Sequence, residues 1–249
     1  MASHVWDKPL TAVEGEVVAI TTTPSYLLFK PGFDGVQLYS ASAFYTALSP
    51  ALHHVVYYNG TTYTSYTTEA LDRVSTTHVP LDGMTTAHSL YLGFSDRVQG
   101  IYINIGTGVN AVNTTLDVDY SSTAVAPGVS LAWTNVAGDS DGTDSTGTLA
   151  VDGVYKWTLP TASAWKRTYL GTDQIKLYTK CYWIRITPDA TLSATVDLVD
   201  IIPVYKNDLY GYHEAATTYV FQIDSTMNSG IVFDGSASQN VNVTWLRHG

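Results

Sequence analysis

The residues best suited to chemistry are three aspartates in a short polar segment. Asp139, Asp141 and Asp144 stand at positions one, three and six of the run Asp-Ser-Asp-Gly-Thr-Asp, where Gly142 permits a sharp turn. Oxygen donors at this spacing resemble the first half of a calcium-binding loop. Position twelve, where such a loop places a bidentate glutamate, is Ala150. The spacing therefore leaves two interpretations open, a calcium site and a solvated turn made of turn-forming residues.

A second candidate site consists of tyrosines crowded into one predicted hairpin. Tyr57, Tyr58, Tyr63 and Tyr66 flank Asn59-Gly60, a dipeptide that favours a two-residue hairpin turn. Aromatic side chains of this kind form flat surfaces for sugar rings or for other proteins. They also pack against one another across a hairpin, and the sequence does not separate the two roles. The four tyrosines are thus a candidate ligand or interface surface.

Other reactive side chains have a simpler structural interpretation. Asp117 and Asp119 alternate along one predicted strand and share a face, as expected for the wet side of an antiparallel sheet. His53 and His54 are neighbours on a strand, so their rings point to opposite faces and do not share a metal ion. Cys181 lies in a hydrophobic strand, which indicates a buried small side chain. The sequence has no nucleophile elbow and no phosphate-binding glycine loop, so we expect no enzymatic activity.

The composition restricts the partners of the chain. Its 249 residues carry a formal net charge of −10, and lysine and arginine form no cluster. Because contacts with phosphates dominate nucleic-acid binding, we expect no nucleic-acid partner. No apolar run approaches the length of a membrane span, and the first residues lack the pattern of a signal peptide. We therefore expect synthesis in a reducing cytoplasm, without an export signal and without association with a membrane.

The elements that must position these side chains are predicted to be β-strands. Charged residues make up only 14% of the chain and aspartate far outnumbers glutamate, which favours strands and turns over helices. Residues 180–186, Lys-Cys-Tyr-Trp-Ile-Arg-Ile, alternate with period two and have large side chains on both faces. One face of this strand is expected to meet a core. Trp183 and Arg185 are expected to meet a partner strand, another domain or another subunit.

The spacing of the predicted strands divides the chain into modules. Short, evenly spaced strands with turn signals between them predict an antiparallel β-sandwich or jelly roll over residues 84–204. Residues 17–83 and 205–249 are expected to form a smaller, discontinuous β domain that carries the sandwich as an insertion. Residues 1–16 lack periodicity and are interpreted as an arm. One short helix is predicted over residues 41–52, where a proline limits it to about two turns.

Several motifs resemble virion structural proteins of tailed bacteriophages. They are Leu90-Tyr-Leu-Gly-Phe94, Gly100-Ile101-Tyr102, Asp141-Gly-Thr143, Trp157, Pro160, Trp165, Tyr182-Trp-Ile-Arg-Ile186 and Val241-Asn-Val-Thr-Trp-Leu-Arg247. The resemblance covers residues 84–204 well and the remainder loosely. It implies β-sandwich modules of capsid decoration or cement proteins, or of tail and baseplate components. No catalytic residue follows from it.

These observations lead to two expectations of function. The first is a non-enzymatic virion protein, a capsid decoration or cement protein that binds capsid or other virion proteins, and its own copies as a homo-oligomer. Its strand edges and arm would form interfaces of roughly 1,600 Å² each. The alternative is a carbohydrate-binding or receptor-binding module of a tail or baseplate, with the four tyrosines as a sugar platform. No cofactor is expected, apart from calcium if the aspartate loop binds it.

Overall fold

The computed structural model describes residues 10–20, 25–30, 32–42, 44–72, 74, 76–127, 129–170, 177, 179–204, 211–213, 215–223, 228–234 and 238–248. The regular elements in these residues are β-strands, which confirms the all-β class. In chain order they are β1 (Leu10–Ile20), β2 (Ser25–Leu28), β3 (Gly35–Tyr39), β4 (Phe44–Pro50), β5 (Leu52–Tyr58), β6 (Tyr63–Ser65), β7 (Val79–Pro80), β8 (Ser89–Phe94), β9 (Gly100–Ile105), β10 (Leu116–Ser121), β11 (Trp133–Asn135), β12 (Ala137–Asp141), β13 (Gly153–Thr158), β14 (Arg167–Thr168), β15 (Cys181–Pro188), β16 (Asp197–Val204), β17 (Gly211–His213), β18 (Thr218–Gln222), β19 (Asn228–Asp234) and β20 (Gln239–His248). None of the described residues forms a helix of the length and hydrophobicity that a membrane span requires.

The segment predicted as a short helix, residues 41–52, contains a strand instead. Residues 44–50 form β4, which pairs antiparallel with β17 and places Thr46 opposite Gly211. The helix prediction is wrong because a helix of two turns is marginal on its own, whereas a strand ladder supplies its backbone hydrogen bonds. Residues 44–46, Phe-Tyr-Thr, are also of types that favour strands.

The chain divides into two units, which consist of residues 1–49 with 206–249 and of residues 50–205. The sequence placed the first boundary at residue 84, and the structure places it at residue 50. The reason is that β5 pairs with β8 from Leu52 opposite Phe94 to Tyr58 opposite Ser89, so the hairpin belongs to the larger unit. A hairpin signal is local and does not specify which strand lies beside it.

Residues 10–16, predicted as part of an arm, belong to β1. This strand pairs antiparallel with β20, from Leu10 opposite His248 to Ile20 opposite Gln239. The register shifts between Ala12 and Glu14, and such an irregularity interrupts the period-two pattern by which a strand is recognised. Residues 1–9 lie outside the described residues.

The smaller unit contains two four-stranded sheets, with the strand orders β1-β20-β3-β18 and β17-β4-β19-β2. Because alternate residues point to opposite faces, Val36 and Leu38 of β3 and Trp245 of β20 enter its core. The indole N–H of Trp245 donates a hydrogen bond of 2.7 Å to Glu16 Oε1. Lys30 Nζ lies 5.1 Å from the centroid of the same ring. Both charged groups therefore help to hold Trp245 in place.

The opposite face of the β1-β20-β3-β18 sheet carries exposed valines. Val17 and Val220 are 61% and 57% exposed. Val17 lies opposite Asn242, and Tyr39 lies opposite Thr218. The outward side chains of this sheet have no formal charge, and we refer to them as the uncharged face: Val17, Gln37, Tyr39, Thr218, Val220, Asn242 and Thr244.

The larger unit is a sandwich of two antiparallel sheets. One has seven strands, with the order β11-β10-β15-β8-β5-β6 and β14 paired to β15, and the other has five strands, with the order β12-β13-β9-β16-β7. Side chains from both sheets form one hydrophobic core, including Leu92 and Ile184 from the first sheet and Ile103 and Leu198 from the second. Burial of each side chain of this size stabilises the fold by about 1.5–3 kcal/mol.

Strand β15 is covered on both faces, as its alternation predicted. Ile184 faces the core between the sheets. Trp183 is 0% exposed and packs on the outer face of the sheet with Leu170 and Cys181. The cover over Trp183 therefore comes from the same unit and not from a second domain or subunit. Burial raises the pKa of the Cys181 thiol to about 12, so this side chain is a protonated packing group.

Candidate functional site

Two of the three carboxylates of the aspartate loop accept hydrogen bonds from the chain itself. Asp139 Oδ2 accepts a hydrogen bond of 2.7 Å from the hydroxyl of Tyr155. Asp141 Oδ1 accepts hydrogen bonds of 2.7 Å from the backbone N–H of Thr143 and of 2.6 Å from its hydroxyl. Asp144 is exposed. In the part of the chain that the structure describes, no group of three or more His, Cys, Asp or Glu side chains could hold a metal ion.

Replacing Asp141 by alanine is expected to destabilise the chain by about 1 kcal/mol, because both hydrogen bonds to Thr143 are lost. Urea unfolding should give the same loss of stability with and without millimolar calcium. Asp144→Ala, at an exposed position of the same loop, should change stability by less than about 0.5 kcal/mol. A calcium-dependent rise in melting temperature that Asp141→Ala abolishes would contradict this structural role and restore the calcium interpretation.

The four tyrosines of the hairpin divide between its two faces. Tyr57 and Tyr66 pack against the core between the sheets, and the Tyr57 hydroxyl lies 2.8 Å from Nδ1 of His88. Tyr58 and Tyr63 lie on the outer face, with stacked rings whose centroids are 4.4 Å apart. Since Tyr57 and Tyr58 are consecutive strand residues, they point to opposite faces. The structure therefore brings two of the four predicted residues together on a surface.

Two further aromatic side chains extend this pair across the outer face. The ring centroids of Tyr63 and Tyr91 are 6.0 Å apart, and those of Tyr91 and Trp133 are 5.6 Å apart. We call Tyr58, Tyr63, Tyr91 and Trp133 the aromatic row. Its rings contact one another by stacking and tilted packing, which contributes to their partial or full burial. Arg185 places its guanidinium 5.2 Å from the centroid of Trp133 at the end of the row.

An open groove of about 380 Å³ lies beside the aromatic row on the outer face of the seven-stranded sheet. Its floor consists of outward side chains from β5, β8, β15 and β10, and residues 86–87 form a wall. We call it the sheet groove. The polar side chains that line its floor are Ser89, Asp117, Asp119, Arg185 and Thr187.

A fixed ion pair lies in the sheet groove. Arg185 donates to Oδ2 of Asp119 from Nε at 3.1 Å and from Nη2 at 2.5 Å. The two residues face each other across the β10–β15 ladder. The side chain of Asp119 is 13% exposed, whereas the neighbouring Asp117 is exposed. The interpretation of both aspartates as the wet side of a sheet therefore holds for Asp117, whereas Asp119 is shielded by its partner.

Sequence reasoning did not identify this pair as a site. Asp119 and Arg185 are 66 residues apart, and the register that joins them is not visible in local periodicity. One signal was present, because Arg185 is a lone charge between two isoleucines of a hydrophobic strand. A charge in such a position needs a partner, since an unpaired charge is costly to bury. That argument predicts a partner for Arg185 without naming it.

The only described buried side-chain nitrogen without a hydrogen-bond partner belongs to His54 and lies on the same outer face. The His54 ring stacks on Trp183, with centroids 5.7 Å apart and an interplanar angle of 13°. Burial, and to a lesser extent the charge of His53, lower the pKa of His54 below its ordinary value of 6.5. His54 is therefore a neutral packing group at neutral pH.

Because the pKa of His54 is lower in the folded chain, the unfolded chain takes up this proton first as the pH falls. The stability linked to His54 is fully present above its ordinary pKa of 6.5 and is lost progressively below it. Replacing His54 by phenylalanine keeps the stacking and removes the unpaired nitrogen, so it should raise stability at neutral pH by about 1 kcal/mol. Between neutral pH and about pH 5.5, the free energy of unfolding measured in urea should fall less in His54→Phe than in the wild type. An identical fall in the variant and in the wild type would contradict the assignment of His54 as a neutral packing group.

Comparison with known proteins gives no family for the chain. No protein-family description and no curated protein sequence matches it. Among solved structures, a chain of the β-galactosidase BgaA of Streptococcus pneumoniae is similar at 9% sequence identity and a TM-score of 0.31. The match covers 48% of this chain and 69% of the other. A likeness at this level carries no information about activity, so the site must be interpreted from its own geometry.

Proposed function

We propose that the chain is a non-enzymatic structural protein of a tailed-bacteriophage virion, of the capsid decoration or cement type. The observation that carries the proposal is that several of the motifs with a phage resemblance contribute buried contacts to the larger unit. The indole N–H of Trp157 donates to Val98 O at 2.8 Å, and that of Trp165 donates to Trp183 O at 3.2 Å. Arg97 donates to Pro160 O at 2.7 Å.

Two of these motifs are also neighbours in one sheet. Residues 90–94 of β8 pair with residues 182–186 of β15 without a break in register, from Leu90 opposite Ile186 to Phe94 opposite Tyr182. Motifs that are far apart in the sequence thus meet in a single structural module. This supports treating the motifs of β8 and β15 as parts of one module in the proposal.

The uncharged face of the smaller unit is the surface that best fits attachment to neighbouring virion proteins. Protein interfaces are depleted of charge at their centres, and a stable contact buries roughly 1,600 Å² in total. Val17 and Val220 are exposed on this face. Strand β1 ends the strand order of the same sheet, and an edge strand offers backbone N–H and C=O groups to a further strand. In this proposal, the added contacts stabilise the capsid against the pressure of the packaged genome.

The proposal is tested by quantitative mass spectrometry of purified particles of a phage that encodes the chain. A decoration protein should be present in a copy number comparable to that of the major capsid protein. A far lower copy number would move the chain to the tail or baseplate. Its absence from particles would contradict the proposal.

A binding assay then tests the uncharged face. The double variant Val17→Asp/Val220→Asp should lose binding to particles that lack the chain, while its melting temperature changes little because both side chains are exposed. The matched control is Val109→Asp/Val151→Asp, which alters two valines of the larger unit that are each 43% exposed. Equal binding by both double variants would show that the uncharged face is not the attachment surface.

A further inference from the structure

We infer that the sheet groove of the larger unit binds neutral oligosaccharides, with Asp117, Asp119 and Arg185 as its main polar contacts. This site is separate from the virion role proposed above, because it lies on the other unit from the uncharged face and does not depend on assembly. It also replaces the platform of four tyrosines that the sequence suggested, since two of those side chains face the core.

The shape of the outer face favours a ligand of small-molecule dimensions. One part of this face is covered, because Leu170 packs over Trp183 and Cys181. The remaining part is open and forms the groove, whose volume of about 380 Å³ lies within the usual range for small-molecule sites. Its floor is built on strands in the middle of a sheet, so the ligand contacts are held on rigid elements.

Asp119 and Arg185 offer an acceptor and a donor in fixed positions. Both donated hydrogen bonds of Arg185 go to a single oxygen, Oδ2 of Asp119. A guanidinium has five N–H donors, so this geometry leaves Nη1 and the Asp119 Oδ1 atom for a ligand. The Trp133 ring, 5.2 Å from the guanidinium, restricts its plane. A donor and an acceptor side by side match vicinal sugar hydroxyls, because each hydroxyl both donates and accepts.

Asp117 and two hydroxyls complete the polar floor. Asp117 lies two residues from Asp119 on the same face of β10, and its carboxylate accepts no hydrogen bond from a described residue. Ser89 Oγ and Thr187 Oγ1 lie 3.3 Å apart, and either can donate. Tyr58 also lines the groove, and its hydroxyl donates to Gly60 O at 2.6 Å. The groove thus combines carboxylate acceptors, hydroxyl groups that can both donate and accept, and an aromatic side chain.

The charge of the groove selects a neutral ligand over an anionic one. Two carboxylates line it against one guanidinium, which is already paired with Asp119. An acidic sugar would therefore meet an excess of negative charge, in a chain of net charge −10. An apolar ligand would bury Asp117 without a partner, which is unfavourable. A neutral, hydroxyl-rich ligand satisfies Asp117 and Arg185 together.

The test uses the full chain on a printed array of neutral, sialylated and sulfated oligosaccharides, followed by titration calorimetry with the best neutral glycan and with a lysine-rich peptide. We expect binding to at least one neutral glycan. Asp117→Asn and Arg185→Lys should each weaken it about tenfold, because a hydrogen bond to a charged group is lost or misplaced. The matched control Asp144→Asn removes an exposed carboxylate outside the groove and should leave the affinity unchanged.

Near-ultraviolet circular dichroism establishes that each variant is folded. If Arg185→Lys does not fold, the result for Asp117→Asn alone tests the inference, since Asp117 is exposed and its carboxylate accepts no hydrogen bond from the described residues. Binding of acidic glycans only, of the peptide only, or of no probe by the folded chain overturns the inference. Neutral-glycan binding that Asp117→Asn leaves unchanged also overturns it, because the glycan would then lie elsewhere.

Discussion

We expect Trp183→Ala to lower the free energy of unfolding by about 3–5 kcal/mol, the range for truncation of a fully buried tryptophan. The side chain is 0% exposed and lies on the face of β15 that points away from the main core. Its indole N–H donates a hydrogen bond of 3.0 Å to Thr168 O, and His54 stacks on its ring. Alanine would leave a cavity, remove the hydrogen bond to Thr168 O and remove the ring on which His54 stacks.

The loss should be measured by urea unfolding of the full chain. Hydrogen exchange followed by mass spectrometry should locate the lost protection in residues 90–94 and 181–188, because local stability is reported segment by segment. Trp133→Ala is the matched control, since Trp133 is a half-buried tryptophan on the same outer face. This replacement should lower the free energy of unfolding by only about 1 kcal/mol. Equal losses for the two variants would contradict the assignment of Trp183 to a sealed outer layer.

Gly100→Ala is expected to destabilise the chain by about 3 kcal/mol, at the upper end of the usual range for overpacking. A Cβ at this position would lie 2.5 Å from Tyr155 O and 3.1 Å from Lys156 Cα. Both obstacles are backbone atoms of β13, the neighbour of β9 in the five-stranded sheet. Because no flexible side chain can move aside, the two strands must separate or the ladder must break.

Thermal unfolding with Gly15→Ala as control tests this prediction. Gly15 also lies in a strand, but a Cβ there would be 3.6 Å from Val243 O, an ordinary contact distance. Its replacement should therefore be neutral or slightly stabilising, by up to about 0.5 kcal/mol, because alanine loses less backbone entropy on folding. If Gly100→Ala melted at the wild-type temperature, β9 and β13 could not approach each other as closely as described.

The sequence by itself determined the fold class and, for strands with unbroken alternation such as β15, the side that faces the core. Strand alternation depends on neighbouring residues alone, because successive side chains point to opposite faces. That local rule correctly placed Ile184 in a core and predicted a cover for Trp183. It also contained the information that Tyr57 and Tyr58 face opposite ways, which the grouping of four tyrosines did not use.

Only the tertiary structure decided which strands are neighbours, and with this it decided the site. The pairing of β5 with β8 moved the hairpin into the larger unit, and the pairing of β4 with β17 turned a predicted helix into a strand. The β10–β15 register joined Asp119 to Arg185 across 66 residues. Register is set by packing and by backbone hydrogen bonds between distant segments, and no local pattern encodes it. For that reason the groove became visible only once the strands were assembled.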